Sequence, residues 1–362
     1  MTAIEPERGA PAAPPPPAPP ARGSDAGPGD RAVTDAARAG AAVAVADDVT
    51  KSYGSDHPAL DGVDLVVDPG TIVGLIGPSG CGKSTLVKVL TGIVRPTSGE
   101  VRVFGRDPAD ADDAHRARFG YMPQMPVLFP TLSVWANLNF IASMYGVSLR
   151  HRRRRMMRLL DLVDLVGDRR KRLADCSGGM QRRLALAATL VHDPELLFLD
   201  EPTAGVDPIL RERFWSHFRD LRDEGRTIIV PTQYVGEAVS CDVVAVMSAG
   251  RIIAVLRPDE LLRKGFGGDP LDVRIDRGWL SRAEIDHVDE LPFVRSVRTA
   301  DDGLLVIVED AERDTAVLQA RMGEIGIPAS VEPRDVSFDE AFVEIIEADR
   351  RETAAKRETA AK

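Results

Sequence analysis

Hydrophobic residues follow two different patterns along the chain. Continuous apolar runs at 71–76, 196–199, 227–230 and 243–247 predict buried strands, and the mixed segments 44–49 and 60–67 predict two more short strands. Between 132 and 173, apolar residues recur three or four positions apart, which predicts helices. Strands that alternate with helices form a parallel sheet covered on both faces, so the predicted fold class is α/β.

Changes in composition divide the chain into four segments. Residues 1–40 are rich in Pro and Ala and hold almost no large hydrophobic side chain, which predicts a disordered tail. Residues 41–265 carry the α/β pattern, with a helical subdomain at about 125–180. Four short strand patterns and two helix patterns predict a small α+β domain at 266–348. In the last segment, 349–362, a repeated six-residue unit places Glu four residues before Lys, which predicts a charged, solvated helical tail.

The composition argues against several classes of protein. A net charge of -10 and a pI near 5.2 argue against a nucleic-acid surface. We find no run of about 18 apolar residues, so a membrane role requires a separate partner subunit. The Pro- and Ala-rich start does not resemble a signal peptide. Cys81, Cys176 and Cys241 are widely spaced and form no metal-binding pair, which is typical of reduced thiols.

A glycine-rich loop stands between the strand pattern at 71–76 and the helix that follows it. This loop matches the phosphate-binding P-loop spacing in full. We expect backbone N–H groups there to face a β-phosphate, Lys83 to reach the β- and γ-phosphates, and Ser84 to hold Mg²⁺. The predicted nucleotide-binding residues of the loop are Gly77, Pro78, Ser79, Gly80, Cys81, Gly82, Lys83, Ser84 and Thr85.

Two adjacent acids close the strand pattern at 196–199. Asp200 at a strand end opposite a P-loop suits Mg²⁺ coordination, and Glu201 suits the general base that polarises an attacking water. Acids at such a position also serve as helix N-caps. Because Pro202 follows at once and the P-loop is present, we favour the catalytic interpretation.

A second glycine turn, Ser177, Gly178 and Gly179, lies 23 residues ahead of Asp200. A single phosphate loop is common to many unrelated nucleotide-binding proteins. Two such turns instead suggest a site that another molecule completes. The sequence therefore predicts a dimer that closes on nucleotide.

Together these motifs resemble the nucleotide-binding subunit of an ABC transporter over residues 43 to about 265. The resemblance implies ATP and Mg²⁺ as cofactors, with Tyr53 stacked on adenine and Gln124 sensing both Mg²⁺ and the membrane subunit. It implies that the Ser177 turn contacts the γ-phosphate of ATP on the opposite subunit. Asp207, at the end of the loop that begins at Ala204, would link the two sites. A lone Tyr after a strand is also compatible with an ordinary edge aromatic.

Three positions depart from the family pattern. Cys176 and Met180 flank the second glycine turn where the family has Leu and Gln. These differences change side chains only, so the main-chain N–H donors of the turn remain. Gln233 stands where the family has its switch histidine. A glutamine can donate a hydrogen bond to a γ-phosphate, but it cannot carry the positive charge of imidazole. We therefore expect Gln233 to act with Glu201 as a catalytic residue and expect slow hydrolysis.

The segments 177–183 and 232–234, together with a C-terminal extension that ends in a Phe-rich helix, resemble the drug-resistance branch of ABC exporters. That resemblance implies efflux of a drug or hydrophobic natural product, a separately encoded permease, and a site at the cytoplasmic face of the membrane. It also implies a second ATPase subunit, expected to be another copy of the chain, and no nucleic-acid partner. Two alternatives remain: a soluble ABC protein acting on ribosomes or DNA, and a nucleotide-gated regulator that has lost hydrolysis. The basic run 150–155 is compatible with lipid binding, although a solvated helix start is the simpler interpretation.

Overall fold

The computed structural model describes residues 42–54, 57–275, 280–300 and 303–360, with side chains as far as 355. The predicted disordered tail 1–40 lies outside these ranges. The strands are β1 (Ala44–Lys51), β2 (Leu60–Val67), β3 (Ile72–Ile76), β4 (Ser98–Val103), β5 (Phe119–Met122), β6 (Leu196–Leu199), β7 (Thr227–Thr232), β8 (Val243–Ser248), β9 (Arg251–Leu256), β10 (Asp269–Ile275), β11 (Val294–Ala300), β12 (Gly303–Val308) and β13 (Ala329–Pro333).

Ten α-helices connect these strands in the described ranges. They are α1 (Lys83–Leu90), α2 (Asp113–Arg116), α3 (Val134–Met144), α4 (Leu149–Leu162), α5 (Gly178–Leu190), α6 (Pro208–Asp223), α7 (Pro258–Phe266), α8 (Arg282–Asp289), α9 (Ala311–Glu324) and α10 (Phe338–Ala360). Short 3₁₀ turns lie at Pro108–Asp110, Leu173–Asp175 and Val235–Ser240. No described helix is both long and apolar enough to cross a bilayer.

A six-stranded sheet forms the centre of the molecule, in the order β5-β6-β7-β3-β8-β9. All neighbours are parallel except β8 and β9, which pair antiparallel. The α/β fold class is therefore confirmed. Every residue of β3, β6 and β7 is buried, which explains why these strands read as continuous apolar runs.

A separate antiparallel sheet, β2-β1-β4, covers one face of the central sheet, with α1 between the two sheets. The sequence patterns did not predict β4 or this sheet. Only Val101 and Val103 are buried in β4, so it lacks a continuous apolar run. The opposite face of the central sheet packs against α3, α4, α5 and α6, whose apolar side chains form the largest core cluster.

The C-terminal unit is an antiparallel sheet in the order β11-β12-β10-β13. Along β12, alternate residues face opposite sides: Leu304 packs in the cluster with α8 and α9, and Leu305 in the cluster with α7 and α10. Helix α10 then continues to the main domain, where Ile345 and Ile346 join the largest core. The boundary predicted at 349 thus falls inside one continuous helix. Asp349 accepts a hydrogen bond from Arg251 at 3.3 Å, so this part of the predicted solvated tail is packed.

Candidate nucleotide-binding and catalytic site

The P-loop connects the end of β3 to the start of α1, at the carboxyl edge of the central sheet. Two of its glycines are required by close packing. A Cβ on Gly77 would lie 2.4 Å from the Met247 carbonyl oxygen, and one on Gly82 would lie 2.6 Å from the Ala59 oxygen. Gly82 also has φ 112°, a conformation that favours glycine. At these two positions the neighbouring backbone therefore leaves room only for glycine.

Lys83 is only 8% exposed and points back into the loop. Its ammonium donates hydrogen bonds to the carbonyl oxygens of Gly77 at 2.6 Å and Pro78 at 3.1 Å. Burial raises the pKa of the neighbouring Cys81 thiol, although the Lys83 charge partly opposes the shift. Cys81 is therefore a packing residue in its neutral form, and the positive charge of the loop belongs to Lys83.

Asp200 follows β6 and is 2% exposed. Burial raises the pKa of its carboxyl; a hydrogen bond from Ser84 opposes this shift, and the charge of Glu201 adds to it. The Ser84 hydroxyl and the Asp200 carboxylate thus face each other across the start of α1. Hydroxyl and carboxylate oxygens are the hard donors that Mg²⁺ uses together with nucleotide phosphates, so this pair fits the ion. When bound, Mg²⁺ would neutralise charge that develops on the phosphates.

Glu201 lies next to Asp200 in a left-handed backbone conformation, with φ 52°. Such a conformation costs a non-glycine residue about 1–3 kcal/mol and is concentrated at functional sites. Its carboxylate accepts a hydrogen bond from the Gln124 amide at 3.2 Å. The predicted base and the predicted Mg²⁺-sensing glutamine are therefore in direct contact.

Arg182, on α5, is a site residue that the sequence patterns missed. Its guanidinium lies 3.9 Å from the Glu201 carboxylate and donates to the main-chain oxygens of Gln124 at 3.1 Å and Ala204 at 3.3 Å. One cation thus connects the Gln124 loop, the base and the loop that ends at Asp207. Its position five residues after Ser177 was the available signal, but a sequence cannot show which loops a helix faces.

The second glycine turn forms the N-terminus of α5. The Ser177 hydroxyl caps this helix by accepting a hydrogen bond from Met180 N–H at 3.3 Å. Among described residues, no heavy atom lies within 4 Å of a Cβ added to Gly178, and for Gly179 only the Gly205 oxygen does, at 3.8 Å. Asp207 likewise caps α6 by accepting from Leu210 N–H at 3.0 Å. Both turns are thus open helix N-termini beside each other.

Two predicted residues stand apart from these contacts. The Gln233 side chain is exposed and has no hydrogen bond to any described residue. Strand β7, which ends just before Gln233, is nevertheless joined to the base, because Glu201 N–H donates to the Pro231 oxygen at 2.9 Å. Tyr53 is 59% exposed, with the Lys51 ammonium 5.2 Å from its ring centroid. The structure therefore leaves both side chains free to meet a ligand.

Comparison with known proteins identifies the family of this chain. The family model for "ABC transporter" matches residues 60–204. The daunorubicin resistance ATP-binding protein DrrA3 of Streptomyces coeruleorubidus is 39% identical over 310 residues, which cover 84% of this chain and 96% of DrrA3. The Nod factor export ATP-binding protein I of Rhizobium etli is 34% identical over 286 residues, covering 76% and 86%. The chain belongs to the ATP-binding proteins of ABC transporters.

Solved structures of the ABC family share the fold. A structure described as the ATP-binding subunit of an ABC transporter superposes with TM-score 0.58 at 29% identity, covering 62% of this chain and 93% of that one. The dimeric post-hydrolysis state of the cassette MJ0796, bound to ADP and Pi, superposes with TM-score 0.55 at 26% identity, covering 59% and 98%. This ABC protein is therefore an ATPase.

Proposed function

We propose that the chain powers an ABC exporter by forming an ATP-dependent head-to-tail dimer on a separate permease. In this proposal, two ATP molecules with Mg²⁺ lie between the P-loop of one copy and the Ser177 turn of the other. Glu201 acts as general base, Asp200, Ser84 and Gln124 hold Mg²⁺, and Gln233 contacts the γ-phosphate. Hydrolysis then reopens the dimer and resets the transport path.

The observation that carries the proposal is the uncovered N-terminus of α5. The first N–H groups of a helix and its dipole form an anion-binding site. No described side chain of this chain covers Gly178, so a phosphate held by another copy has free access. The exposed Gly205 and Asp207 loop lies alongside, where it would contact the same partner. Phosphate bound between two chains explains why two glycine turns exist in one sequence.

An open apolar groove beside Gln124 supports the permease partner. Val127, Phe129, Phe140 and Met144 line it with 82%, 46%, 41% and 70% of their surface exposed. Large apolar patches on a soluble domain mark sites where a partner binds. A permease helix seated there would lie next to the loop that contacts Glu201. We therefore propose that the chain is peripheral, at the cytoplasmic face of the membrane.

The proposed cargo is a drug or a hydrophobic natural product. The names of two relatives support this class, since one concerns daunorubicin resistance and the other export of a Nod factor. The cargo would contact the permease, because the described residues of this chain form no membrane-spanning helix. No nucleic-acid partner is proposed, in keeping with the net charge of -10.

Glu201→Gln tests the dimer. The substitution removes the base but keeps the binding contacts, so the variant should elute as a dimer in MgATP and as a monomer without nucleotide. Size-exclusion chromatography with light scattering measures this. The matched control is Glu201→Gln combined with Ser177→Arg, which fills the second glycine turn and should remain monomeric. A Glu201→Gln protein that binds ATP yet stays monomeric, alone and with its permease, would refute the dimer.

The groove requires its own experiment. The chain should copurify with its proposed permease, to be sought as a multi-helix membrane protein encoded beside it, and Val127→Asp with Met144→Asp should abolish copurification. Val317→Asp is the control, because Val317 is 40% exposed on α9, outside the groove. Equal capture of both variants would remove the groove from the proposal.

A further inference from the structure

Glu237 is a buried carboxylate that the proposed chemistry does not use. It lies in the 3₁₀ turn Val235–Ser240, directly after β7, and is 6% exposed. Its two oxygens accept hydrogen bonds from two different loops: the Thr203 hydroxyl at 2.5 Å and the Thr232 hydroxyl at 2.7 Å. Both threonines are fully buried, so neither hydroxyl can exchange its partner for water.

These two threonines lie close in sequence to the two proposed catalytic residues. Thr203 is two residues after Glu201, and Thr232 immediately precedes Gln233. Thr232 also accepts a hydrogen bond from Tyr234 N–H at 3.0 Å, so its hydroxyl holds the loop on both sides of Gln233. Glu237 therefore joins the loop of the base to the loop of the γ-phosphate contact through two hydrogen bonds.

A third connection runs to the helix that follows Asp207. The Arg211 Nε atom, on α6, lies 3.9 Å from a Glu237 oxygen, and no described atom accepts a hydrogen bond from it. The same guanidinium lies over the Tyr234 ring, 5.2 Å from its centroid. A buried carboxylate is costly without partners, and two hydroxyl donors with one nearby cation offset that cost.

The backbone at Glu201 explains why the hydrogen bonds to Glu237 are needed. Glu201 has φ 52°, a conformation that persists only when surrounding contacts hold it. On its N-terminal side, Asp200 N–H donates to the Met122 oxygen at 2.9 Å. On its C-terminal side, Ala204 N–H donates to the Glu201 oxygen at 3.3 Å, and the buried Thr203 hydroxyl donates to Glu237. Loss of the Thr203 bond removes the buried side-chain anchor of this turn and lets the base shift relative to the attacking water.

We propose that Glu237 is a positioning residue for ATP hydrolysis, which sets the distance between Glu201 and Gln233. The proposal rests on the roles given above to those two residues. A displacement of about 1 Å at a reacting group is able to lower a rate on the order of 100-fold. We therefore expect Glu237→Ala to lower kcat about 10- to 100-fold, with the KM for ATP changed by less than about twofold.

Thr203→Val and Thr232→Val provide gentler tests, because valine keeps the shape and removes only the hydroxyl. Each should lower kcat about 3- to 10-fold. The double variant should cost little more than either single variant, because one broken bridge already uncouples the loops. Glu195→Gln is the control for removal of an ion-paired carboxylate. Glu195 directly precedes β6 and pairs with Arg118 at the surface. The kcat of this variant should match that of the parent.

The assay is phosphate release by the purified full chain in Mg²⁺ and ATP, with fluorescent-nucleotide affinity and thermal unfolding measured on each variant. In a Glu201→Gln background, Glu237→Ala should lower the residual rate by less than about twofold, because the residue being positioned is already gone. Parental kcat in folded threonine variants, or the full loss from Glu237→Ala in that background, would overturn the positioning role. Parental hydrolysis by Glu201→Gln itself would instead overturn the base assignment in the proposed function.

Discussion

The pKa values of acidic residues shift in opposite directions at the nucleotide-binding edge of the central sheet and in the C-terminal unit. At the nucleotide edge, burial raises the pKa of Asp200. In the C-terminal unit, a hydrogen bond from Arg313 lowers the pKa of Asp314, and one from Ser337 N–H lowers that of Glu340. Glu201 has a left-handed backbone, whereas the described residues of the C-terminal unit reach such a conformation only at glycine.

This contrast separates a region arranged for chemistry from one arranged for folding. A buried, incompletely paired carboxylate and a strained backbone both reduce stability, and they are retained where a ligand will bind. Paired carboxylates and an alternating strand, as in β12, contribute to stability without requiring a ligand. The variants below test whether the two regions are as distinct as their contacts indicate.

Lys83→Ala should have the largest effect on activity. The ammonium is the charge placed for the β- and γ-phosphates, and charge-assisted hydrogen bonds of this kind contribute about 1.5–3 kcal/mol each. ATP affinity should fall at least about tenfold and turnover should approach background, as measured by nucleotide titration and phosphate release. Lys264→Ala, an exposed lysine on α7, is the control. Parental turnover in Lys83→Ala would remove the P-loop from the site.

Leu318→Ala should have the largest effect on stability in the C-terminal unit. Leu318 is fully buried on α9, so its truncation should lower the free energy of unfolding by about 2–5 kcal/mol. The kcat of the folded protein should stay within about twofold of the parent. Leu186→Ala, equally buried on α5, the helix that begins at the second glycine turn, should lower both quantities. A large loss of kcat in Leu318→Ala would show that the two regions are coupled.

Gln233→Ala should have an intermediate effect. Loss of one hydrogen bond to a γ-phosphate should raise the activation free energy by about 0.5–3 kcal/mol. Gln233→His should raise turnover or make it depend on pH near 6.5, because only imidazole titrates in this range. Both are measured at saturating ATP with the permease in nanodiscs. An alanine variant as fast as the parent would mean that the side chain takes no part in hydrolysis.

Asp200→Asn should change stability less than Leu318→Ala does, and it should stabilise the protein instead of destabilising it. Because the folded state raises the pKa of Asp200, its ionisation costs stability above the ordinary value of 3.8, and that cost disappears as the pH falls below this value. At pH 7 without Mg²⁺, Asn should therefore raise the free energy of unfolding, by about 1 kcal/mol. Hydrolysis should be lost.

Asp314→Asn is the matched variant in the other region. Its pKa is lowered in the folded state, so the stability that it contributes is present above 3.8 and lost as the pH falls through its folded value. Asn should therefore lower the free energy of unfolding at pH 7. Urea denaturation at pH 7 and at pH 3.5 compares the pair. The same sign for both variants would refute the contrast between the two regions.

The sequence by itself determined the elements that depend on local order. Buried strands such as β6 and β7 were visible as apolar runs, and the P-loop as a spacing between a strand and a helix. The four strands of the C-terminal sheet were predicted at 271–275, 294–297, 304–308 and 329–332, within a few residues of their observed bounds. In each case the signal lies within a short window, because side-chain period and glycine position are local properties.

Tertiary structure decided which distant residues meet. Arg182 and Glu237 carry no motif, yet one connects three loops at the base and the other joins Thr203 to Thr232. Strand β4 has few buried residues and is held by pairing with β1. Helix α10 returns from the C-terminal sheet to contact Arg251. These contacts depend on the order of strands in a sheet and on the path of helices between them, which no local pattern of side chains encodes.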